Sequence, residues 1–285
     1  MATTALSPPK NLAELLERIG DVPLDRIRMQ PPPGAATPRD ALRITETERP
    51  CELVDGVLVE KPMGQLESRL ALLIGRYLLE HLERHDIGIA YGADGMTLFD
   101  EDLVRMPDVA FIPYENIPDG ADPTTPIPDW TPALAVEVIS RGNTKREMER
   151  KLRDYFTAGV RLVWLMYPQT QTVRVYTAVD QFDEFDAAQS LDGGDVLPGF
   201  ALPIGQLFDQ SATLRRSTSV RSNSSLCTPP QFENTELLPV LVHLLAIAVP
   251  QRDVPAVDGC RLQKPRRLRT ARIADPARPA GGQHL

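Results

Sequence analysis

Residues 132–164, PALAVEVISRGNTKREMERKLRDYFTAGVRLVW, read as strand, turn, helix, strand, and the rest of the chain is arranged around them. Glu137 stands inside an apolar run, Ala133 to Ile139. Ala133, Ala135 and Ile139 lie on one face of that run and Leu134, Val136 and Val138 on the other. A strand apolar on both faces is a central one, covered on both sides. An unpaired carboxylate buried there would cost several kcal/mol, so Glu137 needs a cation, a proton or a firm donor beside it. A metal ion is the sharpest candidate.

The helix that follows has Thr144 as cap and Glu147 three residues on, the pattern of a capping box. Its apolar face is Met148, Leu152, Tyr155, Phe156 and Gly159, with Lys151 on the edge and Arg150 and Arg153 pointing away. A boundary lysine either carries its ammonium out to water or reaches back toward the carboxylates. Upstream, Asp108 follows Pro107 and opens a strand running to Ile112, with Ala110 and Ile112 on its own face. If this strand neighbours the one bearing Glu137, the two carboxylates meet at one place in the sheet. There they would hold Mg²⁺ or Mn²⁺ as hard oxygen ligands, with the Val138 carbonyl as a third.

Working outward, Cys51 to Glu60 is a hairpin turned at Asp55-Gly56. Leu66, Leu70, Leu73, Ile74, Tyr77, Leu78 and Leu82 recur at helical spacing over Gln65 to His85. His81 and His85 lie four apart on that helix, but no third ligand accompanies them, and they are expected to be solvated helix-end residues. Short strands are expected at Ile89–Tyr91 and Met96–Phe99, then a proline-rich irregular loop over Pro113–Pro132, and further strands at Arg161–Tyr167 and Val173–Thr177. Before the hairpin, residues 1–50 form an N-terminal helical arm: one helix from Asn11 to Ile19 ended by Gly20, and a second starting at Thr37-Pro38. It is expected to pack loosely. Residues 51–209 are the main domain. From about residue 210 the chain turns to a Ser/Thr/Asn/Arg run and a Pro/Arg-rich ending without sustained period, expected to be disordered through residue 285.

The chain has 285 residues, 42% hydrophobic, enough for one full core. Its net charge of −8 hides an asymmetry, because residues 211–285 carry 11 Lys/Arg against 5 Asp/Glu, leaving 20 against 34 in residues 1–210. An acidic body gives no general pull on nucleic acid, so any such binding rests on a local basic strip. Cys51, Cys227 and Cys260 are too far apart for a zinc site or a disulfide framework, which points to a reducing, cytoplasmic setting. No secretory signal opens the chain, and its longest apolar stretch, Leu237–Val249, is too short to span a bilayer.

The runs Glu52-Leu53-Val54-Asp55-Gly56, Pro107-Asp108-Val109, Val136-Glu137-Val138-Ile139-Ser140, Lys151 to Val160 with Trp164, and Leu197-Pro198-Gly199-Phe200, in this order, resemble the Uma-type restriction endonuclease family of the PD-(D/E)XK nuclease superfamily. The resemblance covers about residues 40–209. It implies an α/β fold, a restriction-endonuclease-like core with a mixed central sheet flanked by helices, and Asp108 and Glu137 as ligands of Mg²⁺ or Mn²⁺. The superfamily lysine normally stands two residues after the glutamate, where this chain has Ile139; Lys151 matches the helix lysine that replaces it in the Uma-type pattern. Glu52 matches an additional acidic position on the first element, a candidate ligand of a second ion in the implied chemistry. Many relatives carry a histidine where this chain has Glu67.

The implied activity is metal-dependent endonucleolytic hydrolysis of DNA, in which a bound ion polarises a phosphate oxygen and activates water while Lys151 stabilises negative charge or positions that water. DNA is the implied substrate, and a homodimer is compatible with it. Three alternatives carry other expectations. In a purely structural site Asp108 caps a strand and Glu137 pairs with Lys151 as a buried salt bridge. A non-cleaving DNA-binding or protein-interaction module would keep the fold without turnover. A glycosidase would want aromatic platforms, and only 6% of the chain is aromatic, so it ranks last.

Overall fold

The computed structural model describes residues 9–62 and 64–212. In chain order its elements are α1 (Leu12–Ile19), α2 (Pro38–Thr47), β1 (Cys51–Val54), β2 (Val57–Glu60), α3 (Gln65–His85), β3 (Gly88–Gly92), β4 (Thr97–Asp100), β5 (Leu103–Arg105), β6 (Val109–Pro113), β7 (Leu134–Val138), α4 (Lys145–Thr157), β8 (Leu162–Tyr167), β9 (Thr172–Ala178), β10 (Gln181–Phe185), β11 (Ser190–Gly193), β12 (Leu197–Pro203) and α5 (Ile204–Ala212). The central sheet has the order β10-β9-β8-β7-β6-β3, antiparallel throughout except for the parallel pair β7 and β8 that α4 connects. A second sheet, β2-β1-β5-β4, carries the hairpin. This is the mixed sheet flanked by helices expected from the sequence.

The double-sided burial of β7 follows from its composition. Val136 and Val138 pack with Leu70, Ile74 and Leu78 of α3 on one face, while Ala135 packs with Met148, Leu152 and Tyr155 of α4 on the other. Covering both faces of a strand in this way removes its whole side-chain surface from water, the dominant favourable term in folding. Thr144 and Glu147 form the expected capping box at the start of α4. At the hairpin turn, Asp55 and Gly56 both have positive φ, 51° and 72°, as a tight two-residue turn requires.

The arm is built in, not loosely attached. Gly20 closes α1 at φ +88°, and a Cβ there would meet the Glu147 Cα at 2.6 Å, so α1 ends flush against the first turn of α4. Thr144 Oγ1 donates to the Gly20 carbonyl at 2.7 Å. Arg26, buried, donates to the Glu60 and Gly142 carbonyls and forks onto Glu147 at 2.7 and 2.9 Å. Loose packing was expected because an arginine that pairs 121 residues away leaves no local pattern.

Two other expectations change. Arg150 does not point away from the domain: it bonds Asp55 at 2.8 and 3.0 Å and Asp154 at 2.8 Å, and so ties the hairpin turn to α4. His81 is buried against Phe200 instead of solvated, its ring edge-on at 5.5 Å, while His85 is exposed. At the C-terminal end α5 runs on to Ala212, three residues past the domain limit read from the sequence. The expected disordered tail lies outside the described residues from 213 on.

Candidate active site

β1, β5, β7 and α4 converge on a buried charge network. Glu52 of β1 is 1% exposed, Glu137 of β7 is 4% and Lys151 of α4 is 2%. The Lys151 ammonium donates to Glu52 Oε1 at 2.9 Å and to Glu137 Oε1 at 2.8 Å, so it reaches inward and not to water. Tyr155, one turn further along α4, donates its hydroxyl to the same Glu137 oxygen. Glu137 Oε2 lies outside both bonds. Glu52 also accepts from Arg105 Nη1 at 2.8 Å and from the Met106 N–H at 3.1 Å, and Arg105 continues to Asp154.

Asp108 follows β5 through Met106-Pro107, the connector between the two sheets. Its N–H donates to the Val136 carbonyl at 2.9 Å, and its Oδ2 accepts the Val138 N–H at 2.7 Å, which brings its carboxylate beside the end of β7. Its Oδ1 accepts from Lys61 Nζ at 2.8 Å, and Lys61 also donates to the Met106 carbonyl at 2.6 Å. The structure therefore brings Glu52, Asp108, Glu137, Val138 and Lys151 together. Sequence reasoning missed Lys61 and Arg105. Lys61 directly follows β2 and precedes Pro62, where an exposed lysine is ordinary, and Arg105 ends a three-residue strand too short to show alternation.

The two buried glutamates differ in electrostatic support. Burial pushes the Glu52 carboxyl upward, but Lys151, Arg105 and Lys61 together outweigh it and hold the group well below the usual carboxylate range. Burial likewise raises Glu137, and here Lys151 and Lys61 do not outweigh it, because Asp108 and Glu52 add like-charge repulsion; its carboxyl is held above the usual range. The ion pairs of the site, a chain through Arg105, Arg150 and Lys151 and the separate Lys61–Asp108 pair beside it, together have five carboxylates, Glu52, Asp55, Asp108, Glu137 and Asp154, against four cations, Lys61, Arg105, Arg150 and Lys151. Fully ionised they carry −1, and Glu137 is the least supported member.

This donor set fits a divalent cation. Asp108 and Glu137 offer hard oxygens, the Lys61 ammonium already neutralises Asp108, and Asp108, with its side chain 16% exposed, is the most exposed carboxylate of the group. No group of three or more His, Cys, Asp or Glu side chains able to hold a metal occurs among the described residues. An ion held by Asp108 and Glu137 would complete its shell with oxygens from backbone, water or substrate, as Mg²⁺ commonly does.

A family model described as "Uma2: Putative restriction endonuclease" matches residues 38–205. Among solved structures, the chain is similar to a putative nuclease belonging to DUF820 from Anabaena variabilis, at 22% identity and a TM-score of 0.54, over 61% of this chain and 98% of that one. That likeness bears on the fold alone. No functionally curated protein matches. Among the described residues no helix is long and apolar enough to cross a membrane.

Proposed function

The chain belongs to this restriction endonuclease family, and from that premise we propose that it is a Mg²⁺- or Mn²⁺-dependent endonuclease hydrolysing phosphodiester bonds of DNA. One observation carries the proposal: Asp108 and an under-supported Glu137 stand together at the end of β7, with the Lys61 ammonium against Asp108.

Asp108 and Glu137, with the Val138 carbonyl, would hold the ion. When bound, the ion supplies a Lewis acid for a phosphate oxygen and a lowered pKa for an attacking water. Lys151 fixes the Glu137 carboxylate by bonding its Oε1, which leaves Oε2 for a ligand. Glu52 keeps Lys151 charged and in place from the other side, so its part in this site is to position Lys151. Tyr155 sets the rotation of the Glu137 carboxylate through the same oxygen. The burial of these groups keeps water from the inner half of the network, which strengthens each charge contact in it.

A non-cleaving module on the same fold has one observation in its favour, since both Asp108 oxygens and the Glu137–Lys151 pair are already satisfied by protein groups. Mn²⁺ calorimetry on the Asp108→Asn and Glu137→Gln variants, beside metal-dependent cleavage of supercoiled, linear and single-stranded DNA, tests the proposal. Both substitutions keep shape and remove the charge, so both should abolish Mn²⁺ binding and cleavage. Unchanged metal affinity in both variants would refute the metal site, and bound metal without cleavage of any DNA would favour the module.

A further inference from the structure

Four cations serve the site, and three of them make no ion pair with Asp108. Lys151 is divided between Glu52 and Glu137, Arg105 between Glu52 and Asp154, and Arg150 between Asp55 and Asp154. Lys61 alone among them pairs with Asp108. Its backbone is fixed, with the N–H on the Pro50 carbonyl at 2.9 Å; its ammonium is buried, on a four-carbon stem with free rotations, and pairs with the more exposed Asp108.

Resting on the metal-site reading above, we propose that Lys61 is the resident cation of the site and competes with the divalent ion for Asp108. With the ion absent, Lys61 neutralises Asp108 and keeps its carboxylate oriented for a ligand. With the ion bound, the ammonium is displaced from Oδ1 and remains tethered beside the site. The summed charge of the site then moves from −1 to +1, and a phosphodiester, carrying −1, restores neutrality. Displaced Lys61 is thus placed to meet a phosphate oxygen, a role Lys151 cannot take while it is held between two carboxylates.

Calorimetric Mn²⁺ titration of the full chain tests this, with the wild type compared with Lys61→Met, Lys61→Gln and, as a control for general charge, Lys145→Gln on the exposed start of α4. Lys61→Gln can still donate to the Met106 carbonyl and guards against a packing defect in the methionine variant. Removing the competing ammonium should tighten Mn²⁺ binding by about five-fold or more, the gain expected from one unit-charge interaction at ~4 Å in water. Lys145→Gln should leave it unchanged. If Asp108→Asn loses Mn²⁺ while both Lys61 variants bind no tighter than wild type, the competition is refuted and the metal site stands. Equal tightening by Lys145→Gln would also refute it, as a general charge effect. If Asp108→Asn binds like wild type, or no variant binds at all, the site fails and this inference falls with it.

Discussion

Glu52→Gln and Glu137→Gln are the same chemical change at two buried ends of one lysine, and their stability effects should be opposite in scale. Glu52 accepts three bonds, from Lys151, Arg105 and the Met106 N–H, and so is shared by two of the network's cations. A glutamine there has one acceptor oxygen and turns an NH₂ toward the donors on the other side, so either the Arg105 Nη1–H, or the Lys151 ammonium and the Met106 N–H, lose their acceptor in the interior, although Arg105 keeps Asp154 and Lys151 keeps Glu137. Breaking a buried pair from one side costs about 3–5 kcal/mol. Glu137 is the surplus charge of the network, repelled by Asp108 and Glu52. An amide oxygen in the place of Oε1 can still accept from Lys151 and Tyr155, while Lys151 keeps Glu52. The lost attraction to Lys151 and the relieved repulsion and desolvation nearly cancel, so the change should stay within about 1 kcal/mol in either direction. Urea denaturation near pH 7 with EDTA present reads both. Equal destabilisation by the two substitutions would refute the charge arithmetic of the network.

Lys151→Met should cost several kcal/mol, about 3–5, because Glu52 and Glu137 both lose a buried partner; if it instead loses turnover with full stability, Lys151 acts chiefly on substrate. Arg26→Met strands Glu147 and should lower stability by about 3–5 kcal/mol in the same denaturation assay, a loss that a loosely packed arm would not show. Protonation couples to folding with opposite signs at two groups. Burial raises the Glu147 carboxyl, but its bonds to Arg26 outweigh this and lower it, so its contribution is present above the unfolded value near 4.5 and is lost as pH falls below it. Glu137 is raised, so its contribution is full below that value and is lost as pH rises through its folded value. Urea midpoints across pH should therefore fall less steeply at acid pH in Glu147→Gln and less steeply on the rising side in Glu137→Gln; parallel profiles would contradict the assignment. A chain ending at Ala212 should melt within a few degrees of the full chain, since residues 213–285 offer little periodic apolar surface to offset ordering; a drop of about ten degrees or more would refute it.

The parts of the fold legible in the sequence are those written in local patterns. Two apolar faces around Glu137 marked the central strand, Thr144 and Glu147 marked the start of α4, and Asp55-Gly56 marked the hairpin. The edge strand β10, Gln181–Phe185, was not legible, because it is exposed and largely polar and so has no buried face to impose alternation. At the site, acids were easier to find than bases. A carboxylate inside an apolar run is conspicuous, whereas Lys61 and Arg26 sit at element ends, where charged residues are normal, and their pairing is decided by tertiary approach. Lys151 was placed on a face boundary, and only the packed helix decides that it turns inward.

The network also sets when the protein can first act as it is made. Glu137 and Lys151 are joined over only 14 residues, but the link that completes the network, Lys151 to Glu52, spans 99 residues. Synthesis proceeds N-terminal first, so a chain still on the ribosome holds Glu52, Arg105 and Asp108 before α4 has emerged. Glu52 can pair with Arg105 and Asp108 with Lys61 at that stage, but Lys151 and Asp154, which complete the buried set, come with α4, and contacts of such separation form late. A nuclease assembled from them would be silent as a fragment, and the cell would meet cutting activity only from chains that have finished folding.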